Sequence, residues 1–510
     1  MSPQDAARWK KAQENLLRGR FRDALVAYQT LVKRHPSASE LWFELGNAAA
    51  GDLNFTLANQ AYEQALKLAP RNPRLLLTVG QQYQGLRQLD QARACFEQAV
   101  ASDPNSVDAR ISLAVWFEKE RRLDEAWQCI LDCETRHSRD DQVRYFRAFL
   151  LYRKGQPAEA ESALRDLIRD GPRYPYVKYA SCHLLGVVLD QQGQYPEAMR
   201  WLVEAKELVR QITDTSVLER EYDKTSDRRR ELLGTLTAET LRRWRVEASS
   251  VESTRQIAFL GGHPRSGTTL LEQILDAQQE LRAFDEAPAF NQEVCGRLTS
   301  QGGAGLGLGA LNGMPAKLRI GLRERYLASL LQETGGPATW KVLLDKNPSA
   351  TMLLHVWLRV FPEVKVIIAL RDPRDVIISC YFQNLMLNVT NVNFLSLERT
   401  AKHYADLMDV WLKHRELGGF DWLETRYEDV VANLEREGRR ATEFLGLGWH
   451  ENQARYHENS RRKFLYAPTY HDVTQPIYQR AVGRWQRYAA ALESIQKTLA
   501  PYCRAFGYDV

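Results

Sequence analysis

Small and apolar residues recur at a fixed interval through the N-terminal part of the chain. Ala24, Ala58, Ala92, Ala126 and Ala160 are spaced 34 residues apart, and Ala198 continues the series after a four-residue insertion. Four residues beyond each alanine stands a large apolar side chain: Tyr28, Tyr62, Phe96, Ile130, Leu164 and Leu202. Three further on is a smaller or apolar one: Leu31, Ala65, Ala99, Cys133, Leu167 and Ala205. Steps of four and three place these positions on one helical face. Twelve residues before each alanine lies a small residue (Ala12, Gly46, Gly80, Ala114, Ala148, Gly186), where a second helix can approach closely. The pattern predicts six helix pairs over residues 8–206, with Pro36, Pro70, Pro104 and Pro172 stopping the second helix of four of them.

This periodicity resembles the tetratricopeptide repeat, whose units bury their apolar faces against neighbours and stack into a superhelix with a concave surface. The resemblance implies either a groove for a peptide or protein partner, or a spacer or dimerisation arm. Residues 207–254 are highly charged and suit helix, so they are expected to connect the array to a second domain, residues 255–510. Arg228, Arg229 and Arg230 in that connector are read as a solvated helix face.

The pattern changes at Arg255. RQIAFLGGHPRSGTTLLEQILDAQ reads as a short apolar strand, a glycine-bearing turn and an amphipathic helix. Gly262, four residues, then Gly267, Thr268 and Thr269 match the glycine frame of a nucleotide phosphate loop, whose backbone N–H groups and helix N-terminus favour anions. Thr268 stands where a nucleoside triphosphatase would carry lysine, and Arg265 supplies a cation from inside the loop. Downstream, VKVIIALRDPRDVIISCYFQ reads as a buried strand ending at Arg371, a turn, and a helix carrying Ser379 eight residues later.

These two segments resemble the sulfotransferases, most closely the protein-tyrosine sulfotransferases and the tetratricopeptide-repeat sulfotransferases of prokaryotes. The resemblance spans residues 256–490 and implies a parallel-sheet domain that takes a sulfuryl group from 3'-phosphoadenosine-5'-phosphosulfate, leaving 3',5'-diphosphoadenosine. Carried over residue by residue, Pro264, Arg265, Ser266, Gly267, Thr268 and Thr269 would hold the 5'-phosphosulfate, and Arg371 with Ser379 the 3'-phosphate. Glu286, 21 residues beyond Arg265, would be the catalytic base, with Asp285 as its rival. Lys346 in LLDKNPSATML would stabilise the leaving phosphate oxygen. Thr469 and Arg484 fall where the family has a serine and a lysine in its closing donor segment, and Tyr427 matches a tyrosine at the end of a donor-side strand. The acceptor would be a peptide, a protein or a small hydroxyl compound, with protein tyrosine among the candidates.

Composition narrows the rest. With 510 residues, 44% hydrophobic and 26% charged, the chain is an ordinary globular sequence too long for one core. A net charge of +5 is too small to indicate nucleic acid. No run of about 18 apolar residues occurs and the N-terminus lacks a signal-peptide core, so a cytoplasmic location without a transmembrane segment is expected. The seven cysteines are read as reduced thiols; Cys129 and Cys133 share a helix face but lack further ligands, and no metal is expected. The glycine-rich stretch 301–315 is either a lid over an acceptor site or an idle loop. Two other functions compete: a kinase or nucleoside triphosphatase, disfavoured by the absent loop lysine and magnesium carboxylate, and a repeat scaffold with an inactive second domain.

Overall fold

The computed structural model describes residues 1–52, 54–248, 255–299, 306–332, 340–460, 477 and 479–510. They divide into two compact units, Met1–Gln192 and Gly193–Val510.

The first unit is all helix and follows the 34-residue interval. Its elements are α1 (Pro3–Leu17), α2 (Phe21–Arg34), α3 (Ser39–Gly51), α4 (Phe55–Leu68), α5 (Pro73–Gly85), α6 (Leu89–Ser102), α7 (Val107–Lys119), α8 (Leu123–His137), α9 (Asp141–Arg153), α10 (Pro157–Asp170) and α11 (Pro175–Gln191). The periodic alanines and the apolar residues four positions on are fully buried within this unit. The small-residue position is a steric requirement: a Cβ on Gly46 would sit 2.4 Å from the Tyr62 ring, and one on Gly80 2.6 Å from that of Phe96. The residues preceding Pro36, Pro70 and Pro104 leave helical geometry, at φ −128°, −138° and −139°, as the proline ring demands.

The second unit opens with α12 (Tyr195–Ile212), α13 (Ser216–Thr235) and α14 (Ala238–Ala248). The arginine triplet of α13 is not one solvated face. Arg230 reaches Asp227 and Asp406, whereas Arg229 is drawn in beside Tyr222, where burial lowers its basicity. There follows a five-stranded parallel sheet of β1 (Gln256–Gly262), β2 (Leu281–Asp285), β3 (Val342–Lys346), β4 (Lys365–Leu370) and β5 (Trp422–Arg426), in the order β2-β3-β1-β4-β5. The central strands β1, β3 and β4 are mostly apolar because both faces are covered, whereas the edge strands β2 and β5 are mixed and less buried. One face packs Leu271 and Leu275 of α15 (Thr268–Asp276) against Leu260, Leu344 and Ile367. Aromatic side chains fill another part of the core, where Phe290 stacks on Trp357 at 3.9 Å and Phe259 and Tyr326 pack around the same indole. The chain leaves β1 toward β2 on one side and later crosses to β4 on the other. The C-terminal end of β1 is therefore the topological switch point, where open parallel sheets place their ligands.

Among the described residues of this unit, His263, His355, His403 and His414 are buried. Burial holds each neutral. It pushes His263 to about 4, His355 to about 3 with help from His414 and Arg229, and His414 to about 4. The unfolded chain takes up these protons near pH 6.5 and the folded unit does not. Each group therefore removes ~1.4 kcal/mol of stability per pH unit as pH falls from about 6.5 toward its folded value. Denaturant midpoints of the full chain at pH 7, 6 and 5 should fall progressively, and His355→Gln should flatten the dependence. Midpoints that stay constant over that range would overturn this assignment of buried neutral imidazoles.

Candidate active site

The loop between β1 and α15 is shaped by its backbone. Gly262 has φ +123° and a Cβ there would lie 2.3 Å from the Ala369 carbonyl oxygen of the neighbouring strand, so only glycine fits. Thr351 braces the same residue, its hydroxyl accepting from Gly262 N at 2.8 Å and donating to Gly262 O at 3.2 Å. Gly267 caps α15 at φ +88° with no side-chain cap, so the first-turn amides point out of the helix toward the loop. A side chain on Gly267 would strike the Tyr427 ring at 2.6 Å. Arg265 has φ +74°, one of few non-glycine residues in the left-handed region.

His263 holds the loop from behind. Its Nδ1 lies 2.7 Å from the Pro264 carbonyl, which can only accept, so Nδ1 carries the proton and Nε2 accepts from His403 Nδ1 at 2.8 Å. Both rings are neutral, His403 driven far below its ordinary value first by burial and then by the neighbouring imidazole.

The second anion element closes against the first. Arg265 Nε donates to Ser379 Oγ at 3.0 Å, and Arg371 donates from Nη1 to the Arg265 carbonyl at 3.2 Å and from Nη2 to the Ala481 carbonyl at 2.5 Å. The Arg371 guanidinium lies 4.9 Å over the Tyr427 ring. Asp375, wholly buried on the helix Pro373–Tyr381, accepts from Gly483 N at 2.8 Å and Trp485 N at 2.7 Å and fixes the segment that supplies Ala481.

On the other side of β1, the register sets Lys346 opposite Leu260 and beside Asp285 of β2. Its ammonium, with 0% exposure, is hydrogen-bonded to Asp285, lies 3.2 Å from Glu286 Oε1 and 3.8 Å from Glu272 Oε2. Burial by itself lowers the basicity of Lys346; Glu272, Asp285 and Glu286 together outweigh it and hold the group well above the usual lysine range. Glu286, at φ +51°, is half exposed, and its N–H donates to the Lys346 carbonyl at 2.8 Å.

Of the residues singled out from sequence, Pro264, Arg265, Ser266, Gly267, Thr268, Thr269, Arg371, Ser379 and Tyr427 lie in one connected group. Lys346 and Glu286 lie in a second, at the C-terminal ends of β3 and β2. Arg484 stacks 4.1 Å from Phe382, just beyond the helix bearing Ser379. Thr469 lies outside the described residues, as does 301–305 of the glycine-rich stretch. The rest of that stretch is anchored: Arg359, 1% exposed on its side chain, donates to the Leu311 and Met314 carbonyls, and Asn312 accepts from Trp244 at 2.9 Å. Sequence reasoning missed Glu272, His263, His403 and Asp375. His263 lay in view inside HPRSGTT; the others become legible only once distant segments meet.

Residues 258–451 match the sulfotransferase family, and residues 10–73, 77–128 and 147–211 match the tetratricopeptide repeat. Protein-tyrosine sulfotransferase A of Caenorhabditis elegans is 25% identical over 279 residues, which are 50% of this chain and 68% of that protein. Protein-tyrosine sulfotransferase 1 of Danio rerio is 24% identical over 268 residues, covering 50% and 72%. Among solved structures, the sulfotransferase domain of the Synechococcus PCC 7002 olefin synthase aligns at a TM-score of 0.37 and 21% identity, covering 51% of this chain and 98% of that one. Among the described residues no helix is long and apolar enough to cross a membrane. The chain thus joins tetratricopeptide repeats to a C-terminal domain of the sulfotransferase family.

Proposed function

We propose that the C-terminal domain transfers a sulfuryl group from 3'-phosphoadenosine-5'-phosphosulfate to a hydroxyl oxygen, with Glu286 as the base and Lys346 at the leaving phosphate oxygen. The observation that carries this reading is the buried Lys346 ammonium beside a half-exposed Glu286, on the strand next to the one that feeds the phosphate loop.

The residues present suit the donor. Arg371 Nε is a buried N–H with no hydrogen-bond partner among the described residues, the kind of orphan that an anionic ligand satisfies. The uncapped first turn of α15 offers further N–H groups. Arg265, Thr268, Thr269 and the loop backbone from Pro264 to Gly267 would hold the 5'-phosphosulfate, and Arg371 and Ser379 the 3'-phosphate. Tyr427 supports Arg371 from beneath; Thr469 and Arg484 keep the donor-side part that the family pattern gives them. When bound, the donor supplies an electrophilic sulfur and a phosphate leaving group. Glu286 accepts the proton of the incoming hydroxyl, and Lys346 offsets charge gathering on the leaving oxygen.

The names of the relatives favour a protein tyrosine as acceptor, and the repeats support a role in capturing an acceptor protein or another partner. Phosphoryl transfer is the competing reading, and the arginine in place of a loop lysine weighs against it.

Glu286→Gln should bind 3',5'-diphosphoadenosine as the wild type does while kcat falls by about 10²- to 10⁴-fold, read by calorimetry and a sulfated-product assay. Undiminished turnover would move the base elsewhere. Arg371→Ala should weaken 3',5'-diphosphoadenosine at least about tenfold and leave AMP nearly unchanged, because only the former offers it a phosphate for a charge-assisted bond. Equal losses for both ligands would remove Arg371 from 3'-phosphate recognition, and turnover of ATP that requires magnesium would replace sulfuryl transfer with the phosphoryl reading.

A further inference from the structure

The reaction proposed above gives no part to Glu272, although it is the most deeply buried carboxylate around Lys346. Its side chain is 3% exposed, against 13% for Asp285 and 51% for Glu286. Glu272 follows Thr268 by four residues on α15, so it lies one turn below the phosphate loop on the same helical face. Its Oε1 accepts from Gln273 Nε2 at 3.3 Å and its Oε2 sits 3.8 Å from Lys346 Nζ.

The three carboxylates differ in what they can do. Glu286 has the solvent access needed to exchange a proton. Asp285 is the cross-strand neighbour of Lys346, fixed by register. In the reaction as read above, the acceptor oxygen bonds to sulfur, the bond from sulfur to the phosphate oxygen breaks with its electron pair left on that oxygen, and the acceptor proton passes to Glu286. At that moment one of the three anions facing Lys346 is neutralised. An ammonium with 0% exposure has no water to replace the lost partner.

We propose that Glu272 is a positioning residue that holds the Lys346 ammonium charged beneath the phosphate loop while Glu286 alternates between carboxylate and acid. Glu272 serves this purpose because it is too buried to exchange its proton readily with solvent and because α15 ties it to the loop. Among the charge attractions that oppose the burial of Lys346, that of Glu272 comes first, ahead of Asp285, which adds a hydrogen bond, and Glu286. The inference rests on Glu286 as the base, but the charge state of Lys346 can be read without donor or acceptor.

The test uses the full chain with Glu272→Gln and Glu272→Asp, plus Glu272→Met as a second uncharged variant of similar volume. Lysine-selective ¹⁵N NMR of the ligand-free protein, assigned with Lys346→Arg, follows Lys346 Nζ against pH. The deprotonation midpoint should drop by about one pH unit or more in the Gln and Met variants and stay near wild type in Asp, which keeps the charge. In the sulfated-product assay, kcat of Glu272→Gln should fall at least about tenfold with donor KM within about threefold, and its profile should gain an alkaline limb below the wild-type one that Glu272→Asp removes. An unmoved Nζ midpoint would overturn the proposal, as would a rate loss that is equal at every pH and follows the drop in melting temperature. A shifted midpoint in a protein whose wild type transfers no sulfuryl group would sustain the role of Glu272 toward Lys346 and retire the reaction.

Discussion

Lys346 is a cation placed where water does not reach, and much of the sheet's C-terminal edge is arranged around that fact. Taking an ammonium out of water costs several kcal/mol unless partners surround it. Here the partners come from three separate elements: Glu272 from the helix after the phosphate loop, Asp285 from the last residue of β2, and Glu286 from the turn beyond it. One ammonium thus ties β3 to β2 and to α15. The tie is made at the last ladder positions of the strands, where Lys346 is in register with both Leu260 and Asp285.

Among the described residues of the second unit, the non-glycine residues at positive φ lie at the same edge. Arg265 and Glu286 both adopt positive φ, at +74° and +51°, with side chains that gain nothing intrinsically from that region. Such residues cost of order 1 kcal/mol or more each and persist only where neighbours over-determine them. The neighbours are visible. Arg371 grips the Arg265 carbonyl while Arg265 reaches Ser379, and the Glu286 N–H is fixed on the Lys346 carbonyl. Two further carbonyl and carboxylate anchors, Pro264 under His263 and Asp375 under Gly483 and Trp485, stiffen the loop and the segment beside it.

How much of this could be read from the sequence depended on the range of the interaction. The helix pairs were legible because a 34-residue repeat writes the same packing contact several times, and Gly46 against Tyr62 or Gly80 against Phe96 is a local steric rule. The parallel sheet was legible because strands covered on both faces are short apolar runs. The loop was legible because its glycines and threonines are consecutive. Glu272 was hidden: it sits 74 positions from Lys346, on a helix whose amphipathic pattern explained it as one polar residue among several. His263 and His403 meet across 140 residues, and Asp375 meets Gly483 across 108. No periodicity encodes such pairs. They follow from the order of the strands, which puts β1 between β3 and β4 although β2 comes next in the chain.

That strand order also separates charge within the site. On the β4 side of β1 lie Arg265 and Arg371 with the open first turn of α15, which together favour anions. On the β3 side lie three carboxylates around one lysine, an excess of negative charge that favours protons. A group transfer in which a phosphate leaves as an anion while a hydroxyl surrenders its proton needs both halves at once, close together but not merged. If they merged, arginine and carboxylate would pair with each other and neither would be left for a substrate. β1 stands between the two fields, and its last residues Gly261 and Gly262 let Thr351 and the Ala369 carbonyl pack directly against its backbone. Among the described residues, Lys346 is the cation that all three carboxylates face. Under the proposed transfer it would serve the leaving oxygen only while enough anions remain behind it to keep it charged, and the three carboxylates at this edge exceed what a single salt bridge needs.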